Sequence, residues 1–229
     1  MKSRFLVIEG LIGVGKTTLC RLIQREWKAR LVLEPWAENP FLAEFYSDPA
    51  RFAFPAQMFY LANRFGQQQN INQLDLFHHF VVADYLFEKD RLFAEQTLDG
   101  HELELYDRFA GLLANNIPRP DLVVFLDAPT EVILDRIGRR AIDAEQGIQP
   151  DYLDALRDRY YALWERYDRA PVKIVHTEEI DYVSNPEDQK RMLEMIRAWL
   201  DGHDLATPAS ASAEREVQPS LFGGGPSKD

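Results

Sequence analysis

The sequence predicts an α/β protein in which helices cover both faces of a parallel sheet. Three observations carry that expectation. Short apolar, β-rich runs alternate with longer helix-compatible stretches along the chain. The first run, Phe5-Leu6-Val7-Ile8, leads straight into a Gly-rich turn followed by a helical segment. Two later runs, Phe80-Val81-Val82-Ala83-Asp84 and Leu122-Val123-Val124-Phe125-Leu126-Asp127, each end in an acid. In an open α/β sheet, acids at strand ends face the crevice where ligands bind.

Each element follows from its local pattern. Strands are expected at Phe5–Glu9, Leu31–Glu34, His79–Asp84, Leu122–Asp127 and Val172–His176. Helices are expected at Lys16–Lys28, Pro40–Tyr46, Arg51–Leu74, Phe87–Leu98, Glu102–Asn115, Thr130–Arg140, Asp151–Asp168 and Pro186–Leu200. The last has a clear start, with Asn185 as N-cap and Pro186 at the first helical position, and Gly202 as its stop. Tyr152, Leu156, Tyr160, Leu163 and Tyr167 fall at helical spacing and read as a core stripe. Trp27, Trp164 and Trp199 read as packing residues. From Asp204 the composition turns to Ala, Ser, Pro and Gly, so residues 1–203 form the domain and 204–229 a disordered tail.

Residues 10–17, Gly10-Leu11-Ile12-Gly13-Val14-Gly15-Lys16-Thr17, fit the loop G-x-x-x-x-G-K-[ST]. Glycines let backbone N–H groups converge on phosphate oxygens, and the following helix N-terminus favours their negative charge. Gly10 to Thr18 are therefore expected to bind a nucleoside triphosphate, with Lys16 on its outer phosphates and the Thr17 hydroxyl on Mg²⁺. Glu34, at the end of the second strand beside Pro35 and Trp36, is placed to accept the proton of a hydroxyl that attacks the γ-phosphate. Asp84 and Asp127 both have the form of a Mg²⁺-holding acid. Which strand lies beside the loop strand is left open by the sequence, and Asp84 is preferred. Arg136 and Arg140, four apart, share a helical face and can clamp a transferring phosphoryl group.

The formal charge of −11 at pH 7 argues against direct binding to nucleic acid, which needs a basic footprint, and against an anionic membrane surface. Met1-Lys2-Ser3-Arg4 before an apolar run imitates the start of a signal peptide. That run breaks at once into the loop, so secretion is not expected. The single cysteine, Cys20, allows no intrachain disulfide, and a reducing cytoplasm is the default expectation.

The loop, Glu34-Pro35-Trp36, Asn39-Pro40-Phe41-Leu42, Phe45-Tyr46-Ser47-Asp48-Pro49 and Phe52-Ala53-Phe54-Pro55-Ala56-Gln57 together resemble the deoxyribonucleoside kinase family. The likeness is to bacterial deoxyadenosine, deoxyguanosine and deoxycytidine kinases, and it spans nearly all of residues 4–200. It implies a P-loop kinase three-layer fold: about five parallel strands, flanking helices and an arginine-bearing lid. It also implies transfer of the γ-phosphate of ATP, with Mg²⁺, to the 5′-hydroxyl of a 2′-deoxyribonucleoside. On that likeness Glu34 is the general base, Tyr46 bonds the 3′-hydroxyl and Gln57 pairs with the base edge. Trp36 and Phe93 line the nucleoside site, while Arg136, Arg140 and Glu145 belong to the lid. Dimerisation through long helices is implied as well.

The chain departs from the family in two places. Family members carry an acid-Arg-Ser triplet after the third strand, where this chain reads Ala83-Asp84-Tyr85. A third lid arginine is Ile142, with Arg139 nearby to compensate. Asp84 would then stand near Glu34, where two carboxylates repel and raise a pKa. Two other functions remain in view. One is a thymidylate-type monophosphate kinase, for which Arg64 is an available acceptor-side cation. The other is a kinase-derived regulatory protein with weak turnover. In the tail, Gln218-Pro219-Ser220-Leu221-Phe222 resembles the Gln-x-x-Leu-Phe peptides that dock on the bacterial DNA sliding clamp, with Leu221 and Phe222 as apolar anchors and Gln218 as a polar one.

Overall fold

In a computed structural model the described residues are 3–35, 38–71, 78–114, 117–140, 147–203 and 205. The strands are β1 (Arg4–Gly10), β2 (Arg30–Val32), β3 (Phe80–Ala83), β4 (Leu122–Asp127) and β5 (Val172–His176). They form one 5-stranded sheet in the order β2-β3-β1-β4-β5, with every pairing parallel. β1 is central: Leu6 pairs with Val82 on one side and with Leu122 on the other. The helices are α1 (Lys16–Trp27), α2 (Leu42–Ser47), α3 (Pro49–Ile71), α4 (Lys89–Thr97), α5 (Gly100–Ala114), α6 (Thr130–Arg140), α7 (Pro150–Trp164) and α8 (Pro186–Leu200).

All six residues of β4 are buried, which is why that strand reads as a continuous apolar run rather than an alternation. Helix α1 lays Leu19, Cys20, Leu22 and Ile23 on the sheet, α7 supplies Leu153, Leu156 and Tyr160, and α8 supplies Met192, Ile196 and Trp199. The expected aromatic stripe on α7 is part of this core, and Trp164 packs on Phe125 at 5.4 Å. Trp27 packs on Phe80 at 5.2 Å. A second, smaller core lies between α3, α4 and α5, built from Ala53, Leu61, Ala94 and Tyr106. It holds α3 against α4, and those two helices carry the buried polar residues Gln57, Arg64, Lys89 and Asp90.

Several boundaries differ from the sequence expectation. Strand β2 ends at Val32 rather than Glu34, because the Glu34 N–H donates to the Asp84 carboxylate at 2.9 Å instead of continuing the ladder. Helix α7 ends at Trp164 rather than Asp168, and α4 starts at Lys89 rather than Phe87. Helix α3 starts at Pro49, and Leu74, its expected last residue, lies outside the described residues. Strands β4 and β5 and helices α6 and α8 match the expectation at both ends. Asn185 does cap α8, accepting from Glu187 N–H at 2.9 Å. The expected tail, 204–229, lies outside the described residues apart from Leu205.

Candidate active site

The site forms at the carboxyl ends of β1, β2 and β3, where the strand order reverses around β1. Gly10 leaves β1 at φ 146, and a Cβ there would run into the Leu126 carbonyl oxygen of the neighbouring strand. Gly15, at φ 112, is crowded in the same way by the Tyr182 hydroxyl. Both positions therefore require glycine on backbone and steric grounds. Tyr182 donates to the Val14 carbonyl at 3.1 Å and clamps the loop from the β5–α8 turn. The Lys16 ammonium lies back over the loop, donating to the Gly10 carbonyl at 2.7 Å and the Leu11 carbonyl at 2.9 Å. Burial lowers its pKa, aided by Lys89 and opposed by Glu9, Asp84 and Glu34.

Both acid-terminated strands flank β1, so geometry at the loop decides between them. The Thr17 hydroxyl donates to Asp84 Oδ2 at 2.7 Å. Asp127 is committed elsewhere: Arg157 donates to its Oδ1 at 3.1 Å and the Tyr161 hydroxyl to its Oδ2 at 2.9 Å. Thr17 and Asp84 offer a hydroxyl and a carboxylate, hard oxygen donors that suit Mg²⁺. Among the described residues no group of three or more His, Cys, Asp or Glu is placed to hold a metal ion. A Mg²⁺ held by Thr17 and Asp84 would complete its shell with phosphate oxygens and water.

Glu34 lies just beyond β2 with cations on both of its oxygens. Arg64 of α3 donates to Oε1, at 2.7 Å through its Nε, and Lys89 of α4 donates to Oε2 at 2.6 Å. Burial alone would raise the Glu34 pKa. The charges and hydrogen bonds of Arg64 and Lys89 outweigh it and bring the pKa down to about 2. The repulsion expected from Asp84 is thus overridden by two buried cations. Arg64 also binds Asp90 of α4 on its far side.

Two helical turns along α3, Gln57 is buried and donates to the Thr97 hydroxyl at 3.0 Å. Gln57 Oε1 and Asp90 Oδ2 are buried acceptors with no partner among the described residues. Phe93 is partly buried beside them, its ring centroid 6.0 Å from the Lys89 ammonium. Behind the site, the fully buried Glu9 accepts from Gly10 N–H, Leu86 N–H and the Tyr160 hydroxyl, at 2.9, 2.8 and 2.9 Å.

The expected arginine clamp is placed differently from its sequence reading. Arg136 and Arg140 do share α6, but the Arg136 guanidinium bonds the Val14 carbonyl at 3.1 Å and both oxygens of Thr177 at 2.9 Å. It ties the phosphate loop to the turn after β5. Arg140 is exposed at the end of α6, and Arg139 pairs with Asp135. Trp36, Ile142 and Glu145 lie outside the described residues, as do Gln218, Leu221 and Phe222; the same holds for the side chain of Tyr46.

Sequence reading missed Lys89, Asp90 and Glu9, and it considered Arg64 only as a partner for an anionic acceptor. A signal existed for Arg64. It stands seven residues after Gln57, two turns along one helical face.

A sequence model of the deoxynucleoside kinase family matches residues 6–201. The chain is 30% identical over 203 residues to a deoxyguanosine kinase of Bacillus subtilis, covering 84% of this chain and 96% of that one. It is 28% identical over 231 residues to a deoxyadenosine kinase of Dictyostelium discoideum, covering 99% and 88%. Among solved structures, deoxyadenosine kinase from M. mycoides with bound dATP superposes with a TM-score of 0.72 at 24% identity, over 86% of this chain and 99% of that one. A parallel sheet in the order β2-β3-β1-β4-β5, a phosphate loop after its central strand and these matches across the domain have one reading: the chain belongs to the deoxynucleoside kinase family.

Proposed function

We propose that Glu34 is the base in a reaction that transfers the γ-phosphoryl group of ATP to the 5′-hydroxyl of a 2′-deoxyribonucleoside. The observation that carries this reading is the half-buried Glu34 carboxylate, whose N–H is held by the same Asp84 that accepts from Thr17 and whose partner Arg64 shares α3 with Gln57. The phosphate loop holds the donor phosphates through its N–H groups and Lys16. Thr17 and Asp84 would hold Mg²⁺, which would supply charge neutralisation for those phosphates. The sugar hydroxyl donates to Glu34, which orients the attacking oxygen and takes its proton. In a loose transition state that proton leaves late, so a carboxylate of low pKa still serves. Arg140, Glu145 and Arg136 belong to the lid reading, with Arg136 acting at the donor side, where it already holds the loop. Tyr46 and Trp36 remain assigned to the sugar and nucleoside.

Gln57 Oε1 and Asp90 Oδ2 give the base end an accepting character, which suits a base edge rich in N–H donors. The monophosphate-kinase reading loses its support, because Arg64 is engaged by Glu34 and Asp90 rather than open to an anionic acceptor. The family match likewise disfavours a purely regulatory role. A transfer assay with radiolabelled ATP over four deoxynucleosides, four ribonucleosides and their monophosphates tests the reaction. Label is expected on a deoxynucleoside. Glu34→Gln is expected to lower transfer at least 100-fold while leaving ATP affinity within threefold, and near-normal turnover would remove Glu34 from the role.

Two partner assignments belong to the same reading. Leu105, Phe109 and Leu112 form an exposed apolar stripe on α5, 43%, 43% and 71% accessible, which supports a homodimer through helices. The tail peptide Gln218-Pro219-Ser220-Leu221-Phe222 supports docking on a DNA sliding clamp, which Leu221→Ala with Phe222→Ala would abolish. Among the described residues no helix is long and apolar enough to cross a membrane. With the lone buried Cys20, cytoplasmic residence is the reading we adopt.

A further inference from the structure

The acceptor end of this chain lacks the arginine that the resemblance leads one to expect, since Asp84 stands in its place. The structure puts a different cation there. Lys89, at the start of α4, is 4% exposed, and its ammonium lies 2.6 Å from Glu34 Oε2 and 3.9 Å from Glu9 Oε1. It faces the rings of Tyr85 and Phe93 at 5.9 and 6.0 Å, and its charge acts on Lys16 across the site. The ammonium therefore sits against the acceptor-side carboxylate and within electrostatic reach of the lysine of the glycine-rich loop.

We propose that Lys89 is a catalytic residue of the phosphoryl transfer, holding Glu34 in the resting site and binding the transferring phosphoryl oxygens once the sugar hydroxyl occupies Glu34. The proposal rests on the kinase reading above.

The two cations on Glu34 differ in freedom. Arg64 is fixed between Glu34 Oε1 and Asp90, a planar fork with a carboxylate on each side. Lys89 carries a point charge on a flexible stem, with three donors to redistribute. An incoming hydroxyl needs a lone pair on Glu34, and the Lys89 contact on Oε2 is the one that can yield. The displaced ammonium keeps Glu9 as a fixed counter-charge and turns toward the nearest other anion, the phosphoryl group.

In the step itself, the bond from the 5′-oxygen to the γ-phosphorus forms as the bond from that phosphorus to the β,γ-bridging oxygen breaks. The electron pair stays on the ADP oxygen, and the hydroxyl proton passes to Glu34. Lys89 neutralises charge on the phosphoryl oxygens and changes no bond of its own.

The test measures kcat, KM for ATP and KM for the deoxynucleoside in Lys89→Met, Lys89→Gln and Lys89→Arg, each first checked for its native melting transition. Removing one such donor is expected to lower kcat by about 100-fold with KM for ATP within threefold. Lys89→Arg is expected to recover activity to within about tenfold of native. If Lys89→Met does not fold, Lys89→Gln, which keeps a polar terminus, is read by the same criterion. A folded neutral variant with kcat within threefold of native overturns the proposal while leaving the kinase reading intact. So does a loss confined to KM for ATP. A native chain that labels no deoxynucleoside overturns the kinase reading, and this proposal with it.

Discussion

Glu34 shows how two charges can outweigh burial at a single residue. Desolvation favours its neutral form, yet Arg64 and Lys89 hold its pKa at about 2, against an ordinary glutamate value near 4.5. A depressed folded-state pKa contributes stability that is fully present above the unfolded value and is lost as pH falls through the folded one. Unfolding by urea, followed by circular dichroism, is therefore expected to become easier between about pH 4.5 and pH 2, by about 3 kcal/mol from this group. Glu34→Gln should flatten that part of the profile; an unchanged slope would show that the two cations do not bias Glu34. Cys20 offers a second test at this scale. Burial pushes its thiol pKa well above the usual range, so a thiol reagent should label it only after unfolding. Lys16, Thr17 and Glu34 could be singled out because each belongs to one local segment, and the structure brings Thr17 and Glu34 together on the Asp84 carboxylate. Arg64, Lys89 and Asp90 were not legible in this way, because their meaning comes from partners on other elements. Arg136 illustrates the limit, since helical spacing paired it with Arg140 while tertiary contacts gave its guanidinium to Val14 and Thr177.

Elements were legible in proportion to how local their determinants are. Helix α8 was readable at both ends because its start is encoded by Asn185-Pro186 and needs no tertiary partner. Asn185→Ala is expected to cost about 1 kcal/mol, lowering the melting temperature by about 2–4 °C. An unchanged melting curve would mean that packing of Met192, Ile196 and Trp199 fixes the helix without its cap. Strand β2 was misjudged for the opposite reason. Nothing in Leu33-Glu34 marks a strand end; the Asp84 carboxylate, fifty residues away, takes the Glu34 N–H out of the ladder. The same contact sets Glu34 at the crevice, so the shortened strand and the placement of this carboxylate have one cause.

For the whole molecule, alternation of strand and helix patterns was enough to predict a parallel sheet, while strand order was not. Which acid meets Thr17 of the glycine-rich loop depended on side-chain geometry rather than on adjacency, since β3 and β4 both neighbour β1. The α5 stripe bears on assembly. If a second copy covers Leu105, Phe109 and Leu112, Leu112→Glu should shift sedimentation from dimer to monomer without lowering the melting transition of the isolated subunit. Sedimentation as a dimer in both proteins would place the contact elsewhere.

The central position of β1 also has a consequence for how the chain is made. Leu6 is synthesised well before both of its partners, Val82 on one side and Leu122 on the other. Until those segments leave the ribosome, this largely buried strand has no edge to join. The two edges of β1 therefore gain their partners in chain order, β3 before β4. The nascent chain meets its greatest aggregation hazard during the interval before them.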